Sequence, residues 1–422
     1  MTPALEQQLI SYVSRNREAL IGILADLVRC PSENTPPTGN EGNCQQYLFD
    51  ALQQGGYQPE LYAIDEVPGL HAHPIYHAGR DYNGRPNLVA RRQGVGGGRS
   101  LILSGHIDTV PRGTQNWTAD PFSGHVAGNR LYGRGSNDMK AGIASNLFVA
   151  QALSDLGIQL QGDLCIESVV DEEFGGVNGT LAARVAGITA DAAVISEPSS
   201  LRVCAAQRGG RTAHITFHPP GDVIEQVTHF LVALREFAAI RRTASIHPLY
   251  ADCQDAVPVS VTKIFTSPWG TGEPIGVPQE CRLELFWQLM PGEEQAAVES
   301  QFEAWFEDVL SSAYNLYRRR PTLEYPIRWL PGSAISAEEP AVRELRSSAA
   351  KVLPAPPPVT GIEGPCDLYV FHEFGIPAVL WGACGTNGHG PDESVDLDSV
   401  VTATQALLLF VCQWCGVQEE SQ

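Results

Sequence analysis

The chain has 422 residues, of which 43% are hydrophobic and 18% are charged. This length and ordinary globular composition predict two domains and a sizeable buried core. The formal net charge of -20 at pH 7 argues against a nucleic-acid partner, because phosphate binding requires clustered Lys and Arg side chains.

Targeting and membrane segments are not expected. The N-terminus lacks a basic start followed by an apolar run, which argues against a signal peptide. No stretch approaches about 18 uninterrupted apolar residues, and the longest apolar segment, 403–412, is predicted to be a buried helix. The 10 cysteines are scattered without a framework, which favours reduced thiols and a cytoplasmic location. Cys412 and Cys415 form a lone CxxC, which favours a thiol pair on the last helix over a redox or zinc site.

The first half of the chain has the pattern of an α/β domain. Apolar residues at helical spacing predict one amphipathic helix from Leu5 to Val28, and a Pro/Ser/Thr-rich loop, 31–39, ends it. Short apolar runs then alternate with helical stretches, which predicts a layered structure with a mostly parallel sheet. The predicted helices are 43–54, 142–156 and 179–185, and the predicted strands are 87–90, 100–104, 163–170 and 192–195.

The pattern changes after Pro198 and returns beyond about Leu330. The middle segment predicts a small α+β domain, with strands at 212–217, 258–265 and 282–288 and helices at 223–242 and 293–312. The last segment predicts helices at 338–352 and 397–414 and a strand at 378–381. We therefore expect one α/β catalytic domain, 1–206 and 327–422, interrupted by an inserted α+β domain, 207–326.

A histidine and an aspartate follow the predicted strand 100–104. His106 and Asp108 point the same way, because side chains in extended chain alternate with period two. This pair suits a metal-bound histidine whose second nitrogen donates to Asp108. The alternative is a histidine that is merely satisfied at the end of a strand.

A Gly-rich turn, 131–142, leads into a helix with Asp138 near its start. Asp138 could therefore be an N-cap residue as well as a metal ligand. The turn sequence GRGSNDMKAG matches neither a Walker A loop nor a dinucleotide-binding fingerprint.

Further carboxylates follow two other predicted strands. Adjacent Asp171, Glu172 and Glu173 would repel one another near a core, and a bound cation would remove that penalty. The alternative is a solvated loop of charge. Glu197 ends the strand 192–195, and His389 lies in a Gly-rich loop after the strand ending at Trp381.

Together these residues offer nitrogen and oxygen ligands from several strand-end loops of one sheet. Such a set suits zinc, with cobalt or manganese as alternatives. It also suffices for two metal ions about 3.5–4 Å apart that share a bridging carboxylate.

The motifs SGHIDTVP, LYGRGSNDMKAG, DEEFGG, SEPS and GHGPDES resemble, in order and spacing, those of the M20 metallopeptidase and deacylase family. This family includes acetylornithine deacetylase, succinyl-diaminopimelate desuccinylase, aminoacylases and glutamate carboxypeptidases. The resemblance extends over nearly the whole chain and is closest to the acetylornithine deacetylase and desuccinylase-like branch. It implies a zinc-peptidase fold with helices on both faces of the sheet, and an inserted lid through which many members form homodimers.

The resemblance also implies a role for each site residue. It assigns His106 and Glu197 to one metal ion, Glu173 and His389 to the other, Asp138 as the bridge between them, Asp108 as the residue that orients His106, and Glu172 as the general base. In the implied mechanism, Glu172 takes a proton from a metal-activated water that attacks the amide carbon, and then passes it to the leaving nitrogen.

The lid departs from its relatives at two positions that usually contact substrate. The segment carrying a conserved lid histidine looks shortened, so His218, or else His214, is the expected replacement, although either could be an ordinary strand residue. Gln288 stands where relatives carry an arginine that grips a substrate carboxylate, and a glutamine cannot form the bidentate charged pair. Carboxylate recognition would then depend on another residue such as Arg208.

Three functions are compatible with these motifs. The first is a deacylase acting on an N-acyl amino acid or related amide, and the second is a carboxypeptidase or dipeptidase on the same scaffold. The third, a non-catalytic relative, is disfavoured because every expected ligand and the base are present.

Overall fold

The computed structural model describes residues 1–175, 177–266, 276 and 278–418. Its α-helices are α1 (Pro3–Arg15), α2 (Arg17–Arg29), α3 (Gly42–Gln54), α4 (Lys140–Asp155), α5 (Asn178–Val185), α6 (Val223–Ala244), α7 (Gln295–Ser312), α8 (Pro340–Ala349), α9 (Leu368–Glu373) and α10 (Leu397–Cys415). Short 3-10 helices cover Ile64–Glu66, Leu70–Ala72 and Pro248–Tyr250.

The strands vary in length, and the shortest have two residues. They are β1 (Asn34–Thr35), β2 (Thr38–Gly39), β3 (Gln58–Tyr62), β4 (Asn87–Arg92), β5 (Leu101–Ser104), β6 (His125–Ala127), β7 (Arg130–Tyr132), β8 (Leu164–Ser168), β9 (Ala192–Ile195), β10 (Val203–Gln207), β11 (Gly209–Phe217), β12 (Val259–Phe265), β13 (Cys281–Leu289), β14 (Thr322–Glu324), β15 (Ser333–Ala334), β16 (Val359–Ile362), β17 (Ala378–Leu380), β18 (Gly385–Thr386) and β19 (Ser394–Asp396).

The chain forms two compact units. The first comprises Met1–Ala205, Ile335–Ile362 and Cys366–Gln422, and the second comprises Ala206–Ala334 and Glu363–Pro365. The expected inserted segment, 207–326, lies within the second unit.

The main sheet of the first unit runs in the order β10-β17-β9-β5-β8-β4-β3, with β16 beside β10. Its central strands, β17, β9, β5 and β8, are parallel, whereas β10, β4 and β3 join antiparallel. All residues of β5, β8 and β9 are buried, as expected of strands covered on both faces. The predicted α/β class with a parallel centre is therefore confirmed. Parallel strands end at the same edge, so the loops that follow β5, β8, β9 and β17 start side by side.

Helices cover both faces of this sheet. On one face, α4 and α10 contact β5, and α1, α2 and α8 pack against them. On the other, Ala183 of α5 and Phe371 of α9 share a buried cluster with Ile102 and Ala193. By length and composition α10 could cross a membrane, but 78% of its apolar window is buried inside the fold, as in a core helix.

The predicted single helix from Leu5 to Val28 is wrong. The structure has two helices that meet at Asn16, whose backbone leaves helical geometry at φ -104° and ψ 23°. The Asn16 side chain donates to the Tyr12 carbonyl at 2.9 Å. Asparagine competes in this way for backbone groups and favours helix ends, although the apolar spacing continues across the break.

A small antiparallel sheet, β6-β7-β19-β18, was not predicted. Its strands have two or three residues each, too few for a clear alternation of apolar and polar side chains. It joins segments more than 250 residues apart, because Ser394 pairs with Tyr132. The loops that carry Asp138 and His389 both adjoin this sheet.

The second unit is an antiparallel sheet with two helices. Its strand order is β12-β13-β11-β14, and α6 and α7 pack together. Its core contains many aromatic side chains, including Phe217, Phe230, Trp287 and Phe302. Asp222 caps the N-terminus of α6, and its carboxylate accepts hydrogen bonds from the backbone N–H groups of Ile224 and Glu225.

Candidate active site

His106 lies two residues beyond the end of β5, at the carboxyl edge of the parallel strands. Its ring is buried, and Nε2 lies 3.1 Å from Asp138 Oδ1 and 3.6 Å from Glu197 Oε1. Glu197 follows β9, the parallel neighbour of β5. Strand adjacency therefore brings His106 and Glu197 together, although 90 residues of chain separate them.

His389 lies on the opposite side of Asp138. Its Nε2 lies 3.3 Å from Asp138 Oδ2 and 2.8 Å from Glu173 Oε2. One carboxylate oxygen of Asp138 thus faces His106 and the other faces His389. The candidate metal-binding atoms of His106, Asp138 and Glu173 all lie within 4.8 Å of one another.

The Asp108 carboxylate contacts several groups around the site. The His106 Nδ1 lies 2.9 Å from the Asp108 carbonyl oxygen and 3.6 Å from the carboxylate, so the backbone makes the shorter contact. The carboxylate accepts hydrogen bonds from the backbone N–H groups of Glu172, at 3.0 Å, and Glu173, at 3.2 Å. Asp108 therefore also anchors the turn that carries both glutamates.

Glu172 follows β8 on this turn. Burial raises the pKa of its carboxyl well above the usual value; the His106 charge opposes this shift, and the charges of Asp367 and Glu197 increase it. Glu172 thus lies in the electrostatic field of the cluster. A base in such a setting binds a proton more readily than an exposed glutamate does.

The cluster carries more negative charge than its own histidines readily neutralise. Burial raises the pKa of Glu197 well above its usual value, partly offset by His106. Hydrogen bonds to Asp138 and Glu173 raise the pKa of His389 to about 11. Carboxylates held this close in a buried site are stabilised by a cation, and imidazole with carboxylate is a common donor set for zinc. The residues therefore fit divalent metal ions.

Sequence reasoning missed the polar residues behind the turn. Asn34 is fully buried, and its Nδ2 donates to Asp108 at 2.9 Å and to Asp171 at 3.3 Å. Asp171 also accepts from the Tyr82 hydroxyl at 2.5 Å and pairs with Arg80 at 3.2 Å. The position of Asn34 in a Pro/Thr-rich loop carries no sequence signal of this contact.

The predicted substrate residues lie in the second unit. Arg208 is buried, and its guanidinium donates to the carbonyl oxygens of Glu363, Asp255 and Ala256. These bonds occupy three of its N–H groups, and its role in substrate binding stays a prediction.

The other predicted substrate residues also have partners within that unit. His218 Nδ1 lies 3.9 Å from Glu280, and His214 Nε2 lies 2.9 Å from Glu284. Gln288 donates through its side-chain amide to the Glu363 carbonyl at 2.7 Å. Oxyanion or substrate contacts by either histidine stay predictions.

A family model described as peptidase family M20/M25/M40 matches residues 102–413. The chain belongs to this family. The match includes every candidate ligand and Glu172, and it confirms the resemblance inferred from the motifs. As a member of the M20 family, the protein is a metal-dependent hydrolase of amide bonds.

Relatives of this M20 protein include named deacylases. It is 24% identical to N-formyl-4-amino-5-aminomethyl-2-methylpyrimidine deformylase of Bacillus subtilis, over 99% of this chain and 100% of that one. It is 35% identical to succinyl-diaminopimelate desuccinylase of Methylobacterium radiotolerans, over 43% of each chain.

Solved structures of other proteins share the fold. A dipeptidase from Saccharomyces cerevisiae matches with a TM-score of 0.77 at 13% identity, covering 98% of this chain and 99% of that one. A dinuclear metal-binding M20 peptidase from Bacillus subtilis matches with a TM-score of 0.62 at 16% identity, covering 96% of this chain and 100% of that one.

Proposed function

We propose that this M20 hydrolase is a deacylase that removes an acyl group from an N-acyl amino acid or a related amide. The observation that carries the proposal is the two-sided arrangement around Asp138. Each of its carboxylate oxygens faces a histidine, and each histidine also approaches a glutamate. Such an arrangement suits two cations that share one carboxylate.

The metal-ligand assignment follows from these pairs. His106 and Glu197 would hold one ion, His389 and Glu173 the other, and Asp138 would bridge them. We propose zinc, with cobalt or manganese as alternatives, because imidazole and carboxylate ligands suit all three. When bound, the ions would supply Lewis acidity that lowers the pKa of a water and polarises the amide carbonyl.

The protein's own residues move the proton. Glu172 lies beside the ligands, and none of the histidine contacts described above involves its carboxylate. It would take a proton from the attacking water and pass it to the leaving nitrogen. Asp108 supports this role, since its carboxylate accepts the Glu172 backbone N–H and thereby limits where the glutamate lies.

The names of the relatives favour a deacylase over a carboxypeptidase. A relative that aligns over 99% of this chain is named as a deformylase, and others are named as desuccinylases. In addition, Gln288 replaces the arginine expected for a bidentate grip on an α-carboxylate, and its amide already donates to Glu363. An N-acyl amino acid and the C-terminal residue of a peptide both present an α-carboxylate, so this replacement does not separate the two activities; it favours amides whose amine carries no α-carboxylate.

We further propose a cytoplasmic homodimer that forms through the second unit. The scattered cysteines favour a reducing compartment. Strand β12 lies at the edge of its sheet, and Ile264 and Phe265 on it are 55% and 57% exposed. An edge strand with exposed apolar side chains favours pairing with another strand, and the mass by light scattering would distinguish a dimer from a monomer.

A substrate panel tests the proposed activity. Enzyme reconstituted separately with Zn2+, Co2+ or Mn2+ would be assayed against N-acetyl, N-succinyl and N-formyl amino acids, an N-formylated aminomethylpyrimidine, and dipeptides. We expect release of free acyl acid from at least one acylated amide. Cleavage of the dipeptides alone would replace the deacylase proposal with a dipeptidase.

A further inference from the structure

Two loops that carry candidate ligands leave the small sheet at the same point. The Asp138 loop (133–139) follows β7, and the His389 loop (387–393) precedes β19. These strands pair, with Ser394 opposite Tyr132, and the Gly133 N–H donates to the Glu393 carbonyl at 2.9 Å. The bases of the two loops are therefore joined by a backbone ladder.

A single carboxylate, that of Glu393, accepts hydrogen bonds along the Asp138 loop. Its Oε1 accepts the backbone N–H groups of Asn137 at 3.0 Å and Asp138 at 3.1 Å. Its Oε2 accepts the Gly135 N–H at 3.0 Å and Arg134 Nη1 at 2.6 Å. Both oxygens are thus used as acceptors, in a side chain only 1% exposed.

Arg134, in the Asp138 loop, donates to two groups of the His389 loop. Its Nη2 donates to the His389 carbonyl oxygen at 3.3 Å, while Nη1 donates to Glu393. The guanidinium is buried and stacks over the Trp117 ring with its carbon 5.0 Å from the ring centroid. The planar guanidinium has N–H donors in fixed directions and suits this double contact, whereas the ammonium group of a lysine offers a single nitrogen donor.

The His389 loop has a backbone that requires such support. Asn387, His389 and Asp392 all have positive φ angles, between 54° and 63°, a conformation uncommon for residues other than glycine. Residues in such conformations persist where the surroundings over-determine them. Asp392 is held as well, since its carboxylate accepts the Thr118 N–H at 2.8 Å and hydroxyl at 2.7 Å.

The loops also approach each other closely beside this contact. A Cβ atom at Gly385 would collide with Oδ1 of Asn137, so the chain next to the His389 loop has no space there for a larger residue. The Asp138 loop therefore packs directly against the chain that leads into the His389 loop.

From these contacts we infer that Glu393 and Arg134 are positioning residues that hold Asp138 and His389 in register for metal binding. The inference rests on the proposed function, because it takes Asp138 and His389 as metal ligands. Glu393, in the His389 loop, accepts from the backbone of the Asp138 loop, and Arg134, in the Asp138 loop, donates to Glu393 and to the His389 backbone.

The decisive variant is Glu393→Gln, which keeps the shape of the side chain. An amide has only one acceptor oxygen, so its NH2 group would replace one of the two carboxylate oxygens. That NH2 group would then face N–H donors of the Asp138 loop, with which it cannot form hydrogen bonds. Metal-free protein would be titrated with Co2+ and followed by visible absorbance, which reports the coordination geometry as well as the affinity. Loss of residues that orient ligands typically costs 10- to 100-fold in metal affinity, and we expect Co2+ binding to weaken by about that factor.

Arg134→Lys is the second variant and decides the question if Glu393→Gln does not fold. It retains the charge but not the fork, so we expect a smaller loss of Co2+ affinity. The matched control is Glu41→Gln, which disrupts an equally buried, bidentate ion pair with Arg85 in the same unit. The control should bind Co2+ as the wild type does.

Two further variants separate this inference from the function on which it rests. Asp138→Asn should lose Co2+ from both proposed sites, and His389→Ala from the site it shares with Glu173; if they bind Co2+ like the wild type, the ligand assignment is wrong. A different outcome would overturn the positioning role alone. In that outcome Asp138→Asn and His389→Ala lose Co2+, but Glu393→Gln binds it with the affinity and spectrum of the wild type, and the ligand assignment stands. If Glu393→Gln does not fold, Arg134→Lys takes its place in this comparison. Equal weakening in Glu41→Gln would also overturn the positioning role, since the effect would then be a general result of losing a buried ion pair.

Discussion

The two sides of the Asp138 carboxylate are built in different ways. On one side, His106 and Glu197 follow neighbouring parallel strands, and their side chains are only 2% and 6% exposed. On the other, His389 lies on a loop and its side chain is 54% exposed, although it contacts a Glu173 side chain that is 2% exposed. We call these the strand side and the loop side of the site.

The difference shows which forces position a ligand. On the strand side, backbone ladders determine the separation of the residues, because β5 and β9 pair in register up to Ser104 and Ile195. On the loop side, no such ladder reaches His389, and hydrogen bonds from side chains to the backbone hold the loop in place. The strand side should therefore resist substitution of polar neighbours, and the loop side should depend on them.

The largest effect is expected at Glu172, which is assigned to neither side. Replacing it with alanine should lower kcat by about 10²- to 10⁴-fold, the usual contribution of a general base. Both metal ions should remain bound, because Glu172 is not among the proposed ligands. Steady-state kinetics and metal analysis of the same preparation measure the two quantities.

Glu173→Ala is the matched control for this variant, since it alters the next residue on the same turn. It should lose metal on the loop side together with activity. Retained activity in Glu172→Ala would show that the general base lies elsewhere.

A second prediction compares the two histidines in metal-free protein. His106→Ala removes a buried ring that contacts Asp138, Glu197 and Asp108, and should lower the free energy of unfolding by about 1–3 kcal/mol. His389→Ala removes a half-exposed ring whose ion pairs are partly screened by solvent, so the change should be smaller, at about 0.5–1 kcal/mol. Urea denaturation in the presence of a chelator measures both values.

Both variants should keep the circular dichroism spectrum of the wild type. If the two substitutions destabilise the protein equally, the strand side and the loop side do not differ in how they are held, and the comparison fails.

The smallest effect is expected at Asn34, which supports the strand side from behind. Asn34→Ala removes the amide that donates to Asp108 and Asp171, and should cost about 1 kcal/mol of stability. It should also lower kcat by less than Glu172→Ala does, because Asp108 still anchors the turn through the Glu172 and Glu173 N–H groups. Asn40→Ala, at an exposed position nearby, should change neither quantity. A kcat loss as large as that of Glu172→Ala would give Asn34 a direct part in the reaction.

Much of the fold could be predicted because the local pattern and the global structure agree. The buried runs of β5 and β9 and the apolar helix α10 have unambiguous periodicity or length. The break at Asn16 and the small sheet around β7 and β19 escaped prediction. In the first case one side-chain hydrogen bond overrides a continuing apolar pattern, and in the second the strands are too short to show a period.

The sequence by itself determined the family and the chemical groups of the site: two histidines and several carboxylates placed after predicted strands. Those signals are local, because a strand, its end and an adjacent polar residue can be recognised within a few positions. Only the tertiary structure decided which atoms face one another. It shows that each oxygen of Asp138 faces a different histidine. It also shows that Asp108 contacts His106 more closely through its carbonyl oxygen than through its carboxylate. Finally, Glu393 accepts hydrogen bonds from a loop more than 250 residues earlier in the chain. Such contacts arise from how distant segments pack, and no periodicity along the chain encodes them.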